Sequence, residues 1–315
     1  MNPATVPKLS VVDLSRENLR PGSSCWVSTC NEIKVALEEY GCFVASYRKL
    51  SSEFRKNVFD ALKELFELSE ETKMKNENPK PGHGYMKLPT LPRYESLAIE
   101  NVTKLEACKN FTEAIWPEGN DKFSEIAHTY ANTVAELQQL VMRMLFESYG
   151  LDEKLYESQR ISTTYLIRFI KYRKCHETDK NTSVLRGHTD KSLVSILHSD
   201  DVKSLGLRTK DGQWMQFEPS PSSYLVIIGD AGMAWSNDRL RSCYHRVTVD
   251  PSKERYSIVL FAFVSGVIET PKELVDDEHP LKYKPFDHLG LIKFFASSNV
   301  SDKMDSNLIK AYCGI

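Results

Sequence analysis

The sequence predicts an α+β protein with a mainly β core, in which helices come first and an antiparallel sandwich or jelly roll follows. Two patterns carry this. In the first half, apolar residues recur at the three-four spacing of buried helix faces. After Ser162 the character changes to short β-branched and aromatic runs ("TTYLIRFIKY", "SLVSILH", "GLRT", "WMQF", "SYLVIIGD", "CYHRVTVD", "RYSIVLFAFV") separated by "KDGQ", "PSPSS", "SNDR" and "DPSKE". Short strands with turn residues between them are the signature of such β folds. At 315 residues and 41% hydrophobic, the chain is long enough to bury a sizeable core.

Each element has its own warrant. "STCNEIKVALEEY", residues 28 to 40, offers a polar cap, carboxylates and a following Gly41, so it reads as a helix with a glycine stop, and "CFVAS" as the strand after it. A second helix runs from about Ser52 to Leu68 on the stripe Phe54, Val58, Leu62, Leu65 and Phe66. Between Asn76 and Glu118 seven prolines and glycines break the pattern, so that stretch reads as a long loop forming a lid, a binding wall or a plain surface segment. A long helix from Phe123 to about Tyr149, closed by Gly150, then backs the sheet. No linker or repeat divides the chain, and the expected division is residues 1–118 as an N-terminal region and 119–315 as backing helix, β core and C-terminal extension.

Composition narrows the function. A formal net charge of −2 with interspersed signs gives no broad field for nucleic acid or an anionic membrane. Seven scattered cysteines without a CxxC pair suggest neither a disulfide framework nor a thiolate zinc site. No basic segment followed by an apolar core opens the chain and no apolar run approaches bilayer length, so a cytoplasmic protein, expected to be a monomer, is the reading.

"LRGHTDKSLVSIL" sets His188 and Asp190 two apart beside an apolar run. On a strand, residues i and i+2 share a face, so both would aim into one cavity, and "CYHRVTV" offers His245 as a third ligand. Two imidazoles and a carboxylate form the facial set that leaves open positions on non-haem Fe(II), although zinc, manganese or cobalt would also accept it. Ten residues beyond His245, Arg255 and Ser257 again stand at i and i+2. An inward arginine at the head of an apolar strand needs an anion, which a structural salt bridge within the protein or a bound carboxylate would supply, and its fork with a neighbouring hydroxyl suits the latter. The other histidines (His83, His128, His176, His198, His279, His288) read as surface or satisfied core residues.

Taken together, His188-x-Asp190, Gly229-Asp230, Ser236-Asn237, His245-Arg246-Val247 and Arg255-x-Ser257 resemble the plant 2-oxoglutarate and Fe(II)-dependent dioxygenases. "VVDLS", "EEYGCF" and "FELSEETK" are similar to that family's N-terminal region. "GHTDKSLVSIL", "TKDGQW", "ELVDDEHPLKYKPF" and "KAYCGI" are most similar to the clade of glucosinolate side-chain dioxygenases. The resemblance implies a double-stranded β-helix with N-terminal helices packed around it, iron on His188, Asp190 and His245, and Arg255 and Ser257 on the distal carboxylate of 2-oxoglutarate, with Tyr172 adding a phenolic contact. It also implies dioxygen, ascorbate as reductant and a small-molecule plant metabolite as substrate. Ile170 departs from the family, where an asparagine is common two residues before that tyrosine.

Hydroxylation is the expected outcome, with desaturation and O-demethylation as the other routes, and Asp190 argues against halogenation. Candidate substrate walls are Tyr85, Tyr94, Phe111, Trp116, Met233, Trp235 and Phe261. Competing readings are an ascorbate-dependent oxidase of the same fold, a metal-dependent hydrolase and a binding protein that has lost catalysis.

Overall fold

A computed structural model describes residues 8–175, 185–298 and 307–315. The first part of the chain holds β1 (Val11–Asp13), α1 (Ser24–Glu39), β2 (Cys42–Ser46), α2 (Ser52–Glu67), α3 (Glu70–Met74), a hairpin of β3 (Met86–Leu88) and β4 (Leu91–Glu100), and α4 (Leu105–Ile115). Then come α5 (Asp121–Ser148), α6 (Glu153–Ser162), β5 (Thr163–Tyr172), β6 (Val194–Ser199), β7 (Leu205–Arg208), β8 (Trp214–Gln216), β9 (Ser223–Ile228), α7 (Asp230–Trp235), β10 (His245–Val247) and β11 (Arg255–Val264). The C-terminal extension adds β12 (Val267–Ile268), β13 (Phe286–Asp287), α8 (His288–Ser297) and α9 (Asn307–Cys313).

Eight strands form one sheet in the order β1-β2-β9-β6-β11-β5-β4-β3, and β10-β7-β8 form a smaller one. Both ends of the large sheet come from the N-terminal part, and every neighbour pair in it is antiparallel except β1 with β2. Strand alternation then sorts the core into two layers. On β11, Tyr256, Ile258, Leu260, Ala262 and Val264 pack with residues of α1, α2, α4 and α5. Val259 and Phe261 face the other way, toward Leu205, Leu207, Met215 and Val247 around the small sheet. The cavity described below lies on this second side, which gives the jelly roll its working interior.

Helix ends follow side-chain caps: Ser23, Ser51 and Asn120 accept from the backbone N–H of Trp26, Phe54 and Phe123. The first helix thus starts earlier than its sequence pattern indicates, because Ser23 takes the cap. At Gly41, φ is +70° and a Cβ would stand 2.1 Å from Arg241 O, so the stop after α1 admits only glycine.

The largest departure from the expected layout is the stretch from Asn76 to Glu118, which is a hairpin and a helix rather than a long loop. Its prolines sit where no ladder donor is needed: Pro89 lies between the two strands, and Pro92 precedes the pairing with β5, which begins at Tyr94 opposite Tyr172. Among the described residues, no helix is long and apolar enough to cross a membrane.

Candidate active site

His188 and His245 are joined through the main chain as an isolated antiparallel bridge, each N–H donating to the other's carbonyl at 2.9 Å. Asp190 follows in the short connection to β6, so the His-x-Asp pair lies just before a strand rather than within one. The side chains nevertheless converge. Asp190 Oδ1 lies 3.8 Å from His188 Nε2 and 3.9 Å from His245 Nε2, and one ligand atom from each residue falls within 4.8 Å of the others. His188 Nδ1 is 3.0 Å from Arg186 O and His245 Nδ1 is 3.0 Å from Cys243 O. Those carbonyls can only accept, so each Nδ1 carries the proton and each Nε2 lone pair points at the shared centre. Burial first, and then the neighbouring His245 ring, hold His188 below the usual imidazole range, which favours its neutral form.

Arg255 opens β11 and is 1% exposed. Its Nη1 donates to Ser257 Oγ at 3.0 Å, while Nε and Nη2 are buried without a partner. Tyr172 stands opposite Arg255 in the β5–β11 register, with the guanidinium carbon 5.6 Å from its ring centre. A buried guanidinium with donors left over is a costly arrangement unless an anion completes it. The donor set suits a carboxylate, and the triad suits a divalent metal.

Both groups line one cavity of about 420 Å³. Of the expected substrate walls, Tyr94 and Phe261 line it, Phe261 because it shares the strand face of Arg255 and Ser257. Phe111 and Trp116 lie on the other side of the large sheet, clustered with Phe123 of α5 at ring distances of 5.7 and 5.2 Å. Trp235 stacks on Phe146 of α5 at 5.1 Å. Met233 borders a separate polar hollow beside Asp238 and Lys282. Tyr85 turns its hydroxyl to Glu95 (2.8 Å), which is ion-paired with Lys73. These five side chains are core or surface residues because their helices and turn approach the sheet from outside the cavity. Residues the pattern did not single out take their place: Arg168 and Leu166 on β5, Phe263 on β11, His83, and Ile292 and Phe295 on α8. Strand parity from Tyr172 would have found Arg168. The C-terminal helix gave no such signal, and His176 lies outside the described residues.

Comparison with known proteins agrees with this geometry. The 2OG-Fe(II) oxygenase superfamily model matches residues 159–264, and the model for the N-terminal region of non-haem dioxygenases in morphine synthesis matches residues 9–113. The probable 2-oxoglutarate-dependent dioxygenase AOP1 of Arabidopsis thaliana is 42% identical over 301 residues, covering 93% of this chain and 92% of that protein. The chain belongs to the 2-oxoglutarate/Fe(II)-dependent dioxygenase family. A second relative, the 2-oxoglutarate-dependent dioxygenase AOP3 of the same plant, is 30% identical with 98% of each chain covered. Among solved structures, the rice dioxygenase for auxin oxidation superposes with a TM-score of 0.81 at 23% identity, covering 97% of this chain and 100% of that one. Its Arabidopsis counterpart, in a binary complex with 2-oxoglutarate, gives 0.77 at 27%, covering 86% and 99%.

The dioxygenase is therefore an oxidoreductase that uses Fe(II) and 2-oxoglutarate with dioxygen on a small molecule, on the jelly roll expected. Its family motifs also explain the residues around the site. Gly229 lets the chain pass Ser192 O, which a Cβ would approach to 2.2 Å, and the Asp230 N–H donates to Asp190 O at 2.8 Å. The buried Asp230 carboxylate accepts from Lys191 and Ser242 and from Thr189, bracing the loop that carries Asp190. Asn237, at φ +55°, donates to the carbonyls of Leu274, His279 and Pro280 and so ties the C-terminal extension to α7. At Gly187 a Cβ would stand 2.3 Å from the ring of Tyr244, so a larger residue before His188 would have to displace that ring.

Proposed function

We propose that His188, Asp190 and His245 hold the Fe(II) of this dioxygenase, that Arg255, Ser257 and Tyr172 receive the far carboxylate of 2-oxoglutarate, and that the enzyme hydroxylates a small plant specialised metabolite. The observation carrying the assignment is the pair of unpartnered Arg255 donors in the cavity that holds the triad. When bound, iron and 2-oxoglutarate supply oxidative activation of dioxygen, with succinate and carbon dioxide as by-products.

The chain's own part is orientation and exclusion of water. Arg186 O and Cys243 O fix the two imidazole tautomers. Ser257 Oγ holds the guanidinium in place at 3.0 Å. Ile170, opposite Ser257, leaves that flank of the co-substrate pocket apolar where many relatives place an amide. Leu197, Val259 and Phe261 continue the apolar lining, which strengthens charge pairing inside it. Residues 1–118 then serve as the substrate-side region, supplying Tyr94 and His83, and 119–315 as the metal and co-substrate core. The site is complete within one chain, in keeping with a monomer.

The test is to incubate the protein with Fe(II), 2-oxoglutarate, ascorbate and fractionated plant extract, following succinate and product mass together. A gain of one oxygen identifies hydroxylation, a loss of two hydrogens desaturation, and a loss of one methylene O-demethylation. Activity that needs ascorbate but forms no succinate would favour the ascorbate-dependent oxidase, and an absence of turnover with every fraction would sink the assignment.

A further inference from the structure

We infer that the substrate is an apolar molecule carrying one oxyanion, a carboxylate or a sulfate, and that Arg168 binds that group; this rests on the site reading above. Arg168 lies within β5, 6% exposed, and lines the same cavity as the triad and Arg255. All its hydrogen-bond partners among the described residues are uncharged. Nη1 donates to Ser96 Oγ at 2.8 Å and to Gly84 O at 3.4 Å, and Nη2 donates to Gly82 O. Among the described residues these bonds engage Nη1 and Nη2, and none is made by Nε. The cradle itself is well anchored, because the Tyr85 N–H donates to Asn76 O and the Asn76 side chain both donates to and accepts from the backbone of Ala98.

Among the described residues, the other charges lining this cavity are accounted for. Lys191 is paired with Asp230 at 2.5 Å. A ferrous ion, the Asp190 carboxylate, dianionic 2-oxoglutarate and Arg255 cancel one another, so Arg168 leaves one positive charge over. In an apolar enclosure that charge calls for a counter-ion, and a guanidinium fork pairs best with a planar or tetrahedral oxyanion. Register places the two arginines at opposite ends of the wall: Tyr172 pairs with Arg255 and Arg168 with Val259, four residues along, about 13 Å at strand rise. The cavity that Arg168 enters is also lined by Leu166, Phe263, Ile292 and Phe295, which suits an apolar body carrying the anionic group.

The experiment uses the full chain loaded with Mn(II) in place of iron and saturating 2-oxoglutarate, so that no turnover occurs and the Arg255 end is filled. Phenylalkanoic acids of increasing chain length, the matching phenylalkyl sulfates and the neutral phenylalkanamides are titrated calorimetrically. For at least one length the acid or the sulfate should bind about tenfold or more tightly than the amide, and Arg168→Met should bring that ratio to about one. Whichever anion shows the larger preference names the group. Charged probes that never bind more tightly than their amides overturn the proposal on the native chain alone, as does a preference that survives in Arg168→Met. An unchanged 2-oxoglutarate affinity in the variant shows an intact fold. Loss of 2-oxoglutarate binding by the native chain would overturn the co-substrate site instead, which keeps the two failures distinct.

Discussion

At Arg255, two unused donors turn a structural oddity into a measurable dependence. Arg255→Met should raise the KM for 2-oxoglutarate on the order of a hundredfold, since hydrogen bonds to charged groups contribute about 1.5–3 kcal/mol. Initial rates against co-substrate concentration would show it; a variant with an unaltered KM would remove Arg255 from that role. Asp190→Ala and His188→Ala should lose Fe(II) binding in equilibrium dialysis and turnover with it. A different residue sets acid stability. His198 is buried against Tyr130, Tyr224, Phe59 and Arg55, with Arg55 Nε donating to its Nε2 at 3.3 Å. Burial, and then Arg55, pushes it down to about 3 from 6.5. Between those values the unfolded chain takes up a proton that the folded ring refuses, so stability falls as pH drops through this window and is unaffected by this ring above it. His198→Gln should flatten the decline by up to about 1.4 kcal/mol per pH unit, read from urea unfolding at a series of pH values. At this scale the sequence was most informative: the iron-binding candidates sit in short local motifs, and Phe261 follows from Arg255 by strand parity alone.

Arg93 shows how one side chain can position a whole strand. Buried on β4, it donates through Nε to Arg173 O (2.8 Å), through Nη1 to Val249 O (3.0 Å), and through Nη2 to Asp250 O (3.0 Å) and Lys253 O (3.3 Å). It thus clamps the turn that delivers Arg255 to the head of β11. Arg93→Met should cost about 2–4 kcal/mol in urea unfolding by orphaning these carbonyls. It should also raise the 2-oxoglutarate KM, although Arg93 is no part of the cavity lining. An unfolding midpoint matching the native protein's would show that the clamp is dispensable. The strand bearing Arg93 was not legible in the sequence. Arg93, Glu95, Ser96 and Glu100 interrupt its apolar alternation, and each is satisfied by partners distant in the chain, such as Lys73 for Glu95 and Lys80 for Glu100. Helix α5 was legible because its stripe is buried along its whole length, against α1, α2 and α4 as well as the sheet, and periodicity then suffices.

For the molecule as a whole, metal and co-substrate should act as ligands of the folded state. Mn(II) with 2-oxoglutarate at a hundredfold excess over Kd should add about 2.7 kcal/mol and raise Tm by several degrees. Asp190→Ala should abolish the rise in a thermal scan, and a shift persisting in that variant would place the metal elsewhere. The cavity itself was the least legible part of the fold. It is assembled from both strands of the β5–β11 pair, a backbone loop around Gly82 and one face of α8, so no single stretch of sequence encodes its shape. Aromatic content misled for the same reason: Phe111, Trp116 and Trp235 stabilise the helical layer, and bulk does not reveal which side of a sheet a residue serves.

The paired main-chain bonds between His188 and His245 hold two imidazoles at their working separation by peptide groups alone. Stripping the enzyme with a chelator should therefore leave a template that recharges at the speed of encounter. Recovery after ferrous salt is restored would show no lag and no hysteresis, however long the protein had been kept bare under anaerobic conditions.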